Sequence, residues 1–244
     1  TVTAIGVLAY TRSGRRESAK MQVDARVLSH DLGYFLVVYA VAIGASFLPW
    51  QAAKHGVAIG LLFVYGYYVW IHFQDDSSIA DDIDISPLRL SPKVEEPRMR
   101  WVVAQVSLAL ACIFIGAHVF VEHLTHIAEA SSISPLVLSI IITPIATELP
   151  EKFNSVLWVR DSKDTLAMGN ITGAMVFQST IPVTVGLLFT PWVLNTHALT
   201  SAAIALTSGT LVYAYMKIKG HLSAKALLVG LPLYFVFLYV AFWS

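Results

Sequence analysis

Seven apolar segments recur along this chain, at residues 32–49, 55–73, 101–123, 135–159, 165–190, 199–216 and 225–243. Each is near the roughly 20 residues a helix needs to cross the hydrocarbon core of a bilayer. Lipid offers no partner to a free backbone N–H or C=O, so the segments are predicted as α-helices. Composition agrees: 56% of residues are hydrophobic and 13% charged, against about 25% charged in a soluble domain. The expected fold class is an all-α polytopic membrane protein, with about seven full transmembrane helices plus the tail of an eighth. That tail is TVTAIGVLAY at residues 1–10, too short to span and without the basic start or cleavage site of a signal peptide. A short terminus lying on the membrane surface is the alternative.

The loops give an orientation. Basic residues crowd loop 11–31 (Arg12, Arg15, Arg16, Lys20, Arg26) and loop 74–100 (Arg89, Lys93, Arg98, Arg100). They recur at 160–164 (Arg160, Lys163) and 217–224 (Lys217, Lys219). The alternate loops hold Lys54 alone. This alternation predicts basic loops in the cytoplasm and a C-terminus outside. The predicted location is the plasma or inner membrane. Zero net formal charge argues against a nucleic-acid partner. Cys112 stands alone and forms no internal disulfide.

Loop 74–100 divides the chain. Residues 1–73 form a front part and residues 101–244 a back part of five spans. Asp75, Asp76, Asp81, Asp82 and Asp84 fit a solvated linker better than a regulatory calcium loop, because their spacing matches no EF-hand.

Segment 135–159 reads PLVLSIIITPIATELPEKFNSVLWV, with Thr147 at its midpoint. Glu148 and Glu151 therefore fall near the bilayer midplane, where a charge costs about 2.5–3.5 kcal/mol on insertion scales. Such residues mark an ion or proton pathway by default. Thr147, Glu148 and Glu151 share one helical face. Pro144 and Pro150 withhold two backbone donors, so a broken or kinked helix is predicted there. Carbonyls freed beside carboxylates are the oxygen-rich surroundings that hard cations take. The structural alternative is an ion pair of a glutamate with Lys152, although Lys152 is expected to reach toward the cytoplasmic interface instead.

In segment 165–190, Asn170, Ala174 and Gln178 are spaced four apart. Gly169 and Gly173 form a GxxxG expected to bring Asn170 and Gln178 against the Glu148–Glu151 helix. Gln178 is the deeper ligand candidate, while Asn170 fits ligation or backbone support. His118, Glu122, His123, His126 and Glu129 fit a wet interfacial cluster better than a metal site. Trp50, His55, Trp192 and Trp243 read as interfacial anchors, and the glycines of segment 55–73 as packing positions.

ITPIATELPE, followed by the turn WVRDSKDT and then GNITGAMVFQ, resembles the second alpha-repeat of the calcium/cation antiporter superfamily, the sodium/calcium exchangers and their cation/proton relatives. The resemblance implies ten helices in two inverted halves, of which this chain holds the second half and the end of the first. The first alpha-repeat would be a missing N-terminal partner of the same protein. The resemblance places Glu151 on the family's ion-ligating glutamate and Thr147 on its ligating threonine. Glu148 replaces a serine, Ala174 a serine, Met175 an asparagine and Gln178 an asparagine or aspartate. The implied function is a secondary cation antiporter, not an enzyme, exchanging Ca²⁺ for Na⁺ or H⁺. The transported cations are its only ligands, with no cofactor, and the lipid bilayer is its surroundings. The implied metal ligands are Glu151, Glu148, Thr147, Gln178 and Asn170. Access would alternate as segment 101–123 slides against the core. The alternatives are a non-transporting member with a structural or sensing role and an intramembrane metal-dependent hydrolase. The latter lacks an HExxH, and a retinal protein lacks a midplane lysine in the last span.

Overall fold

The computed structural model describes residues 2–75, 88–91, 98–131 and 135–243. Asp76, Asp81, Asp82 and Asp84 of the acidic loop lie outside them. The order is α1 (Val2–Arg12), β1 (Lys20–Met21), α2 (Ala25–Gly44), a 3-10 turn (Ala45–Phe47) and α3 (Gln51–Asp75). Then come α4 (Met99–Ser131), α5 (Pro135–Arg160), α6 (Asp164–Phe189), α7 (Thr196–Lys219), β2 (Leu222–Ser223), α8 (Ala224–Leu227) and α9 (Gly230–Trp243). The chain is an all-α polytopic membrane protein, apart from one two-residue antiparallel ladder between β1 and β2.

Five helical stretches among the described residues are long and apolar enough to cross a bilayer: 25–47, 51–74, 99–131, 164–189 and 196–219. The count of seven is thus not reached on this measure. α5 has the length but carries Glu148, Glu151 and Lys152 in its middle. The last predicted span is split, because α8 ends at Leu227 and α9 starts at Gly230.

Helix ends follow local chemistry more than hydropathy. The first full span was expected at residue 32, but α2 starts at Ala25. The Asp24 carboxylate caps it, accepting from the N–H groups of Arg26 at 2.8 Å and Val27 at 3.2 Å. The extra turns carry Asp31 into the helix. α4 likewise continues beyond residue 123 to Ser131, through a stretch expected to be loop. Asn195 caps α7 through the Ala198 N–H, and Gly220 ends it at φ 67°, a left-handed position that favours glycine. Of the broken or kinked helix expected at Pro144 and Pro150, the outright break is absent. α5 is helical throughout from Pro135 to Arg160.

Two compact units divide the chain: residues 1–70 with 144–244, and residues 71–143. In the first, α2 packs most extensively on α6 and then on α7, with α7 against α9 and α1 against α8. Leu28 and Leu32 of α2, Val159 of α5, Ala167 of α6 and Met216 of α7 share one buried cluster. Val38, Ala42, Ala58 and Leu187 form a second. In the other unit, Leu124 and Ala128 of α4 pack on Leu138 of α5. Most other apolar side chains of α4, such as Ile113 and Phe114, stay exposed, as suits a lipid-facing helix.

The connection from α6 to α7 is pinned at its start. Lys54, expected as a stray basic loop residue, is 5% exposed and donates from Nζ to the Pro191 carbonyl at 2.6 Å. The Gln51 amide donates to the carbonyls of Leu187 and Thr190, both at 3.1 Å. Together they serve the open carbonyl end of α6, where a cation is also favoured by the helix dipole. Trp192, expected as an interfacial anchor, packs partly buried against the protein. Its indole lies over Gly186 and donates to the Ala42 carbonyl at 2.9 Å. Gly56, Gly60 and Gly66, expected to allow close packing, meet nothing within 4 Å of a built Cβ among the described residues.

Candidate cation site

α5 and α6 run side by side in opposite directions, and three side-chain ties join them. Gln178 donates its amide to Oε1 of Glu148. The Asn170 amide donates to the Glu151 backbone carbonyl at 3.3 Å. The Ser155 hydroxyl lies 2.8 Å from the Glu151 carbonyl and 3.2 Å from that of Ala167. Residue numbers rise along α5 as their partners' numbers fall along α6.

Lys152 pairs with Oε2 of Glu148 one turn away, with side-chain exposures of 32% and 18%. This corrects the expectation that Lys152 reaches for the interface. Its partner is the Glu148 carboxylate. Glu148 therefore has one oxygen on an ammonium and the other on an amide.

Glu151 differs. Its Oε2 is buried and has no hydrogen-bond partner among the described residues. A buried carboxylate oxygen without a donor carries a desolvation cost that a bound cation removes. Thr147 is exposed, one residue before the Glu148 pair. The structure thus joins Glu148 to Gln178 and Asn170 to Glu151. The glycine pair plays no part in them. A Cβ at Gly169 meets nothing within 4 Å among the described residues, and one at Gly173 meets the Tyr68 hydroxyl at 3.8 Å.

Asp31 escaped the sequence reading. It is 2% exposed on α2. Its Oδ1 accepts from the Tyr68 hydroxyl at 3.0 Å and its Oδ2 from the Thr172 hydroxyl at 2.6 Å. Thr172 and Asn170 are two residues apart on α6, about 200° around the helix, so α6 presents one to Asp31 and the other to Glu151. The sequence signal was Asp24 before Ala25–Arg26, a cap that moves the helix start ahead of Asp31.

Outside the spans, the Arg160 guanidinium hydrogen-bonds Asp161 at 2.9 Å and holds that carboxyl below its usual range. His118, Glu122, His123, His126 and Glu129 are all exposed. His123 is within 2.9 Å of the Val119 carbonyl and His126 within 3.9 Å of Glu129.

Glu148, Glu151, Asn170 and Gln178 fall inside residues 101–243, which match the sodium/calcium exchanger protein family. The chain belongs to that family. Among the relatives of this exchanger-family chain is the "Putative antiporter CaxA" of Alkalimonas amylolytica, 25% identical over 190 residues, covering 75% of this chain and 58% of the relative. The uncharacterized membrane protein MJ0091 of Methanocaldococcus jannaschii is 25% identical over 168 residues, 68% of this chain and 51% of its own. The inner membrane protein YrbG of Escherichia coli K12 is 30% identical over 86 residues, 35% of this chain and 26% of its own. The chain spans about half the length of the first two relatives. No solved structure matches it.

Proposed function

We propose that this chain is the larger part of a secondary antiporter that exchanges an inorganic cation, Ca²⁺ first, for Na⁺ or H⁺ at a site centred on Glu151. The observation that carries this reading is the buried Oε2 of Glu151 with no donor among the described residues. It lies on the stretch that matches the exchanger family. Glu148, Gln178, Asn170 and Thr147 complete the set of oxygen donors around it. Two carboxylates and one ammonium leave a single negative charge, so Ca²⁺ binding to both glutamates requires Lys152 to leave Glu148. A proton or Na⁺ needs Glu151 alone.

In this reading the basic loops face the cytoplasm and the C-terminus lies outside, in the plasma or inner membrane. Residues 1–73 close the first half of an inverted repeat, 74–100 link the halves, and 101–244 are the second half. The first alpha-repeat is the missing partner, and the cations are cargo.

The test uses the complete gene product in inside-out vesicles. Radioactive calcium uptake is compared under a Na⁺ gradient, a pH gradient and no gradient, with Glu151→Gln and Glu148→Gln beside the parent. Gradient-driven uptake that is lost in Glu151→Gln is the expected result. No uptake by folded protein under either gradient would remove calcium as the cargo.

A second reading, a non-transporting member, is favoured by one observation. Glu148 is already engaged by Lys152 and Gln178. Absence of transport for every cation tried, by protein that still folds, would favour it.

A further inference from the structure

Residues 13–24 run from α1 to α2 as a strap over the turn between α5 and α6. Arg16 is the strap's anchor. Its two terminal nitrogens donate to the two carboxylate oxygens of Asp164, at 2.6 and 2.7 Å, and Nη1 also donates to the Val159 carbonyl at 2.7 Å. The Arg16 and Asp164 side chains are 5% and 0% exposed. The Gln22 N–H adds a bond to Asp164 at 2.8 Å, and the Asp24 N–H one to the Thr165 hydroxyl at 3.2 Å. The strap is tied on its other side as well, since Lys20 and Met21 pair with Ser223 and Leu222.

What lies under the strap gives it a role. Glu151, Ser155 and Val159 follow at four-residue steps and share one face of α5. Ser155 and Val159 are 0% exposed. Glu151 lies about 13 Å along α5 from its Arg160 end. Along this face from the basic end, Arg16 on Asp164 and the Val159 carbonyl comes first, then the buried Val159 and Ser155, and then Glu151. A buried pair that loses one partner leaves an uncompensated charge. Parting the two groups is therefore costly unless water reaches both of them.

We propose that residues 13–24 are a closure over the basic-end approach to Glu151, and that Arg16 is its lock. The inference rests on Glu151 being the cation site. In the state described here the closure is shut. A purely structural pair would hold the helices together and leave access to Ser155 unchanged when weakened.

Access is measured directly. In the full chain with Cys112→Ser, a cysteine at Ser155 reports reaction with a small water-soluble thiol reagent. A cysteine at Thr180, also 0% exposed but on the far half of α6, reports unfolding. With Arg16 present, both react slowly. Arg16→Gln is expected to speed reaction at position 155 by about tenfold or more and leave position 180 slow, since loss of one buried partner destabilises the closed state by more than that ratio. Arg16→Lys keeps the charge but loses the fork, and falls between. Unchanged reaction at 155 in folded Arg16→Gln overturns the proposal. So does fast reaction at both positions in every Arg16 and Asp164→Asn variant, which would make the pair part of the fold alone. The reaction needs no transport, so a failure of the antiporter reading shows separately, in the Glu151→Gln uptake.

Discussion

The Thr172 hydroxyl of α6 lies 2.6 Å from the carboxylate of Asp31 on α2, and both residues are shielded from solvent. The contact sits in the most extensive helix pairing of the first unit. A carboxylate in a membrane span is costly unless its oxygens are served. Removing one donor should therefore cost more than the contact itself. Thr172→Val is expected to destabilise the protein by about 1.5–3 kcal/mol, the range for a hydrogen bond to a charged group. Thr172→Ser should recover most of the loss. Unfolding in graded denaturing detergent, followed by circular dichroism, checks both.

Lys152 holds one oxygen of Glu148. Lys152→Met removes a positive charge from the site and releases that oxygen to a cargo ion. The apparent affinity for Ca²⁺ is expected to rise by about tenfold, or ~1.4 kcal/mol, with a smaller gain for Na⁺. Calorimetric titration of each ion into detergent-solubilised protein gives the ratio. Equal or weaker Ca²⁺ binding would remove Glu148 from the cargo's ligands.

Gly186 lies under the Trp192 ring, with the nearest ring carbon 2.3 Å from a built Cβ. Gly186→Ala must therefore displace the indole and break its bond to the Ala42 carbonyl. Overpacking of this kind costs about 1–3 kcal/mol. Combined with Trp192→Ala, the alanine at 186 should add little further loss, because its clash is gone. A double-mutant cycle in thermal unfolding tests this. Strict additivity would show that the ring moves aside freely.

From α3, Gln51 serves the Leu187 and Thr190 carbonyls at the end of α6, and Lys54 the Pro191 carbonyl just beyond it. Lys54→Met keeps the buried stem and removes the donor. It should destabilise by about 1–3 kcal/mol. Lys54→Arg should be milder. Hydrogen exchange is expected to rise first at residues 187–195, ahead of the rest of α6.

The class of fold was legible because it depends on local quantities. Whether a stretch is long and apolar enough to cross lipid is settled within the stretch, so α6 and α7 fall within three residues of their predicted limits at each end. Glu148 and Glu151 stood out for the same reason, since a charge in an apolar run is costly wherever its neighbours lie. Boundaries went wrong where one residue outweighs hydropathy, as when the Asp24 carboxylate starts α2 early.

The partners of those charges were another matter. Lys152 is one turn from Glu148, yet spacing alone left it facing either the carboxylate or the interface. Gln178 reaches Glu148 from 30 residues away, Thr172 reaches Asp31 from 141, and Arg16 reaches Asp164 from 148. Such pairs form only when helices pack at one depth and rotation. The sequence by itself determined a helical membrane protein with carboxylates in its middle. Tertiary structure alone decided that Glu148 is engaged, that Glu151 keeps a buried oxygen with no donor among the described residues, and that Arg16 is buried on Asp164. Hydropathy sums along the chain, whereas hydrogen bonds are made across it.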